Sequence, residues 1–235
     1  MGLEALIRWN SPKLGRIAPN DFLPLAEKMQ LMSAISDWVI RRACIDAARL
    51  RAERSEQLIM AVNLSPSQLT RSDLPDVIAR ALEVTGLPAQ MLEIELTENA
   101  LVEDAPKTMQ TIERIRELGV RLALDDFGTG FSSMSYMLHF RIDRLKIDQS
   151  FIRNSNGDPQ SVILTRAIIL LAHGLNIQVI AEGVETEAHI AMLLEEGCDE
   201  AQGYYFARPQ PFDQLANTFN ELTRHRYGLM DNRRS

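Results

Sequence analysis

Cysteine is scarce in this chain: Cys44 and Cys198 are the only two among 235 residues, far apart and in no CxxC spacing. That argues against a disulfide framework and a zinc ribbon, and two buried thiols are expected instead. Long apolar runs are missing as well. No stretch approaches the roughly 18 apolar residues that a membrane helix needs, and no basic-then-apolar leader opens the chain, so a cytoplasmic location is expected. Positive charge is in deficit: 25 Lys and Arg stand against 32 Asp and Glu, a net charge of −7. Without a basic stripe to displace counterions, a nucleic-acid polymer is not an expected partner. The four histidines, His139, His173, His189 and His225, show no HxxxH or HExxH pattern, which disfavours zinc. A P-loop is absent too. What remains is an ordinary globular composition, 46% hydrophobic, long enough for one large core or two small domains.

Strand and helix patterns alternate along the chain. A strand-like run at residues 3–7 precedes a polar loop with Pro12, Gly15 and Pro19. Asn20 or Asp21 can then cap a helix whose apolar face is Phe22, Leu25, Ala26 and Met29. A longer helix is expected over 33–54, with Ile35, Trp38, Val39 and Ala43 inward. Strands follow at 57–62, 91–96, 121–124, 144–147, 178–181 and 201–204. Between them lie helices at 74–85 closed by Gly86, 105–118 stopped by Gly119, 159–175 opened by Pro159, and 187–196 ended by Gly197, with a short helical turn at 134–138. A last helix at 212–222 leads into an arginine-rich, frayed end. The alternation predicts an α/β fold, a parallel sheet with helices outside, and seven strands are one short of a closed eight-stranded barrel.

The stretch 121–133, RLALDDFGTGFSS, delivers two adjacent carboxylates, Asp125 and Asp126, ahead of a glycine-hinged loop read as a lid. Like charges this close raise one another's pKa unless a cation or a shared proton offsets them. Other polar residues fall at comparable places. Asn63, Glu182 and Gln202 sit at or just beyond the ends of apolar strands, Glu95 and Lys146 lie near the ends of theirs, and Glu4 lies inside the first. In a barrel those ends share the rim that carries the active site. A single such residue is commonly a helix cap; a succession of them calls for another reason.

Oxygen ligands without imidazole or thiolate select hard cations such as Mg²⁺ or Mn²⁺. Glu4, Glu95, Asp125, Asp126 and Glu182 are more carboxylates than one octahedral ion takes. Two ions about 3.5 to 4 Å apart, bridged by an acid such as Asp125, would use them and suit displacement at phosphorus. Lys146 then orients or helps deprotonate a water; alone, it reads equally as a solvated strand-end lysine. Arg8, four residues beyond Glu4, offers a fork for phosphate or, equally, a structural salt bridge.

Glu4-Ala5-Leu6 with Ile7-Arg8-Trp9, Asn63-Leu64-Ser65, Glu95-Leu96-Thr97-Glu98, Asp125-Asp126-Phe127-Gly128-Thr129-Gly130, Lys146-Ile147-Asp148, Glu182-Gly183-Val184-Glu185-Thr186 and Gln202-Gly203-Tyr204 follow in order. In this set and order the chain resembles the EAL-domain cyclic di-GMP phosphodiesterases of bacteria. The resemblance implies a TIM-like (β/α)8 barrel over 1–222, with 223–235 as a polar tail, and hydrolysis of cyclic di-GMP to linear pGpG. It implies dependence on Mg²⁺ or Mn²⁺, two ions, with inhibition by Ca²⁺. By motif match Glu4, Asn63, Glu95 and Asp125 ligate metal, with Asp125 and Asp126 at the second ion. Lys146 and Glu182 act on the attacking water, Gln202 supports them, and Arg8, with Leu6 and Asp126, binds substrate. Glu98 braces the 126–135 loop, which in the family lies near a homodimer interface. Domains of the family begin with a further strand, antiparallel to the one bearing Glu4, and only Met1 precedes Gly2 here. A trimmed chain, a misplaced start, or a gap filled by another chain would each account for that. Upstream sensory or GGDEF modules are usual. A non-catalytic cyclic di-GMP receptor is the alternative, although such receptors tend to have lost metal ligands and this sequence keeps them all.

Overall fold

The computed structural model describes residues 1–53, 58–98, 100, 105–128, 140–155, 157–215 and 218–219. The glycine loop from Thr129 onward, the expected 134–138 turn, Arg54, Gln57, His139, the end of the last helix from 220 and the 223–235 tail lie outside them. The chain divides into two compact units, Met1–Lys146 with Ala172–Gln178, and Ile147–Leu171 with Val179–Ser235.

The first unit is built on strands β1 (Gly2–Ala5), β4 (Ile59–Leu64), β5 (Leu92–Thr97), β6 (Arg121–Phe127) and β7 (Arg144–Ile147), in that order across the sheet. The first four pair in parallel, with Asn63 opposite Glu95 and Thr97 opposite Asp125. Parallel neighbours need crossovers of a dozen residues or more, and helices supply them. β5 shows why such strands read as nearly continuous apolar runs: Leu92, Ile94 and Leu96 fill one face, and Glu93 and Glu95 on the other are buried as well. β6 runs three residues past the expected strand, so Asp125 and Asp126 lie within it, and Asp125 is the last residue paired with β5.

Around these strands stand α1 (Pro19–Lys28), α2 (Met32–Glu53), the one-turn α3 (Pro66–Leu69), α4 (Leu74–Thr85) and α5 (Ala105–Glu117). α4 has the expected bounds, and Gly86 closes it in the left-handed conformation, φ 64°. α1 instead begins at Pro19, after Ala18, so Asn20 and Asp21 sit inside the first turn and cap nothing. Phe22 and Ala26 are buried, whereas Leu25 and Met29 are exposed.

α2 corrects the expected inward face. Ser36, Ile40, Ala43, Cys44, Ala47 and Leu50 are buried, while Trp38 is 55% exposed. Small side chains let α2 approach β4 and α4, and Trp38 lies two residues from Ser36 and from Ile40, on the opposite side of a 3.6-residue turn. The expected polar loop near Pro12 is an antiparallel hairpin, β2 (Trp9–Ser11) with β3 (Gly15–Ile17). Ser11 Oγ accepts the N–H groups of Lys13 and Leu14 and fixes its turn.

The second unit holds α6 (Gln149–Asn154), most of α7 (Pro159–Gly174), the end of β8 (Gln178–Ala181), α8 (Glu187–Glu195) and β9 (Glu200–Ala201). β8 and β9 pair in parallel, Ile180 opposite Glu200. β9 is two residues long, so Gln202 lies beyond it. A single turn, Phe212–Gln214, opens the expected last helix. No helix among the described residues is long and apolar enough to cross a membrane.

Candidate active site

The parallel register sets which side chains share a face. Glu4 lies opposite Ala61, Asn63 opposite Glu95, and Glu95 opposite Ala123. Since alternate residues of a strand point the same way, Glu4, Asn63, Glu95 and Asp125 occupy one face of the first unit's sheet. Lys146 reaches that face from β7. Its Nζ is 2.9 Å from Glu95 Oε1 and 3.1 Å from Asp125 Oδ1. All three side chains are buried, Lys146 at 1% exposure. Of the two readings of Lys146, the solvated lysine is therefore excluded.

Next to this trio, Asn63 Nδ2 donates to Glu4 Oε1 at 2.7 Å. Its amide oxygen is the atom that a cation would take. Burial pushes the Glu95 carboxyl up to about 8, with Glu4 and Asp125 adding to the rise and Lys146 opposing it. Glu95 Oε2 is buried and has no hydrogen-bond partner among the described residues. A buried carboxylate oxygen left in this way is unstable unless it holds a proton or meets a cation. The donor set is carboxylate and amide oxygen, the set a hard divalent ion prefers. The residues present fit Mg²⁺ or Mn²⁺.

Asp126 follows with its backbone at φ 54°, unusual for a residue other than glycine, and its N–H donates to Asp125 Oδ1 at 3.0 Å. The kink falls one residue before β6 ends at Phe127. Glu98 Oε1 accepts the Gly128 N–H at 2.8 Å, tying the start of the glycine loop to the end of β5. Arg8 lies beyond β1 and not on its edge. Its Nη1 donates to Ile7 O at 2.8 Å, and among the described residues it forms no ion pair. Leu6 is 43% exposed.

The two remaining candidates belong to the second unit. Glu182 follows β8, and its N–H donates to Ile147 O at 3.1 Å; Gln202 follows β9, and its N–H donates to Ala181 O at 2.8 Å.

Sequence reasoning missed a second charged layer, two residues below the first. Arg144 Nη1 lies 3.0 Å from Glu93 Oε1, both nearly inaccessible, and Arg121 Nε lies 3.7 Å from Glu93 Oε2. A signal existed. Charge recurs at spacing two inside apolar strands, Glu93 with Glu95 and Arg144 with Lys146, and only one face of a strand can account for that period.

The model of the family described as EAL domain matches residues 1–209. A signaling protein of Caulobacter vibrioides is 47% identical over 214 residues, 91% of this chain and 26% of its own length. A Pseudomonas aeruginosa protein named cyclic di-GMP phosphodiesterase NbdA is 44% identical over 213 residues, 91% of this chain and 27% of its own length. The chain thus spans about a quarter of each of these relatives. Among solved structures, one titled as the PaMucR phosphodiesterase in complex with c-di-GMP aligns at a TM-score of 0.87 and 38% identity, covering 91% of this chain and 87% of that one. This likeness shows the fold class, an α/β, TIM-like barrel of the kind that the alternating elements led us to expect.

Proposed function

The chain belongs to the EAL domain family, and on that premise we propose that it hydrolyses one phosphodiester of cyclic di-GMP to linear pGpG with the help of two divalent ions, Mg²⁺ or Mn²⁺. The observation that carries this reading is the buried trio of Lys146, Glu95 and Asp125 beside the Asn63–Glu4 pair. What supports it is that these side chains share one sheet face at the strand ends and that the buried Glu95 carboxyl is pushed up to about 8 by burial.

Glu4, Asn63, Glu95 and Asp125 would hold the metal, with Asp125 and Asp126 at the second ion. The ions would supply charge for the phosphoryl oxygens and a more acidic water. Lys146 and Glu182 act on the attacking water. The ammonium of Lys146, fixed between two carboxylates, is a donor that can orient that water without moving. Gln202 supports the pair, Arg8 takes a phosphate of the dinucleotide beside Leu6, and Glu98 braces the loop it already holds at Gly128. Water oxygen ends on phosphorus, and the 3′ oxygen leaves with a proton. The assembly consistent with the family resemblance is a homodimer in the cytoplasm, with sensory or GGDEF modules in the longer protein.

Chromatography of cyclic di-GMP incubated with the purified chain in Mg²⁺, Mn²⁺, Ca²⁺ or EDTA tests the proposal. The expected result is pGpG in Mg²⁺ and Mn²⁺ and none in Ca²⁺ or EDTA. Tight binding with no cleavage in either Mg²⁺ or Mn²⁺ would overturn it and make the chain a receptor. Light scattering, with a mass near 53 kDa for two copies of the 26.5 kDa chain, checks the dimer.

A further inference from the structure

In the second unit, the loop that carries Glu182 is held by backbone on both sides. Glu182 N–H donates to Ile147 O at 3.1 Å on one side. On the other, Val184 N–H donates to Gln202 O at 3.0 Å and Tyr205 N–H to Val184 O at 2.9 Å. Two glycines make these approaches feasible. A Cβ on Gly203 would lie 2.1 Å from Val184 O and 2.3 Å from Val184 N, distances that real Cβ atoms do not show. A Cβ on Gly183, whose φ is 69°, would lie 2.5 Å from Gln149 Cβ. Glu185 adds a side-chain tie: Arg153 donates to its Oε1 from Nε at 3.1 Å and from Nη2 at 2.8 Å.

We infer that Gly203 and Arg153 are positioning residues for Glu182. Gly203 lets the Gln202 segment pass backbone on backbone against Val184, and Arg153 ties the far end of the same loop to α6. The inference rests on the reading of Glu182 as a group that acts on the attacking water. The physical reason is that a carboxylate acting on a proton in flight must sit within a few tenths of an ångström of its place. Backbone hydrogen bonds on both flanks give that precision, and side chains between the segments would not. Displacement by about 1 Å costs roughly 10²-fold in rate.

The experiment counts binding-competent sites and measures turnover per site. Calorimetry with cyclic di-GMP in EDTA gives the stoichiometry and Kd of each protein, and pGpG formation in Mn²⁺ gives kcat and KM. For Gly203→Ala, kcat per binding site should fall about 10²-fold, with Kd and stoichiometry close to those of the parent chain. Arg153→Ala, at an exposed tie that leaves the backbone bonds in place, should lower kcat per site severalfold with KM unchanged. The exchanged pair Arg153→Glu with Glu185→Arg should recover it. A role confined to folding would lower stoichiometry and leave kcat per site intact, and that result in either variant would overturn the inference. If Gly203→Ala does not fold, Arg153→Ala and the exchanged pair decide alone: no loss, or loss without recovery, overturns it. If the parent chain binds without cleaving, the reading of Glu182 itself has failed, which is a different outcome.

Discussion

Lys146 is the residue on which most depends, because it is a buried cation whose neighbours Glu95 and Asp125 are both carboxylates. Replacing it with methionine keeps the stem volume and removes the charge. On the role proposed for it at the attacking water, its loss should lower kcat by about 10² to 10⁴-fold, read as pGpG formed per minute in Mn²⁺. Two carboxylates would also face each other without their cation. In EDTA the same variant should lose roughly 3 kcal/mol in urea unfolding, and unchanged stability there would show that the trio is solvated. The cysteines behave differently. Burial pushes both thiols up to about 11 from their ordinary value of 9.0. Since the folded chain holds these protons more tightly than the unfolded one, their contribution is full below about pH 9 and is lost as pH rises through about 11. Of the two thiols expected to be buried, Cys44 is buried and Cys198 only half-buried, so a thiol reagent at pH 8 should label Cys44 slowly in the native chain and at once in the urea-unfolded chain. Rapid native labelling of Cys44 would place it in solvent.

At the scale of elements, α4 shows how local chemistry sets a boundary. Gly86 ends it at φ 64°, and a Cβ added there would meet nothing within 4 Å, so Gly86→Ala brings strain in the backbone and no clash. That substitution should cost about 1 kcal/mol in urea unfolding and leave kcat unchanged. The lower charged layer, Glu93 with Arg144 and Arg121, ties β5, β6 and β7 below Glu95, Asp125 and Lys146. Arg144→Met should leave Glu93 buried without its close partner and destabilise by roughly 3 to 5 kcal/mol. The paired change with Glu93→Gln should return much of that, which differential unfolding of the two variants checks. A hairpin and two helices of four and six residues escaped the sequence reading because a single turn carries no period to detect.

For the whole molecule, ligand linkage and net charge govern what is seen in solution. Cyclic di-GMP at about a hundred times its Kd should add roughly 2.7 kcal/mol to unfolding even in EDTA, measured as a shift in urea midpoint, if the dinucleotide binds only the folded chain. With a net charge of −7, the chain should retain no DNA or RNA in a mobility-shift assay at about 0.15 M salt. Retention there would make the dinucleotide reading incomplete.

The amino-acid sequence by itself determined the α/β class and which polar residues stand at the ends of the parallel strands. Periodicity and composition are local properties: Leu92, Ile94 and Leu96 alternate with Glu93 and Glu95 whatever surrounds them. It could not decide which of those polar residues meet. Lys146 became a buried partner of Glu95 and Asp125, and not a solvated strand end, because the register of β5 and β6 and the position of β7 bring the three together from distant parts of the chain. Trp38 went outward and Cys44 inward for a similar reason, since the face of α2 is chosen by what it packs against, β4 and α4. Pairing across sequence distance is a tertiary quantity, and the geometry of Glu95, Asp125 and Lys146 depends on it.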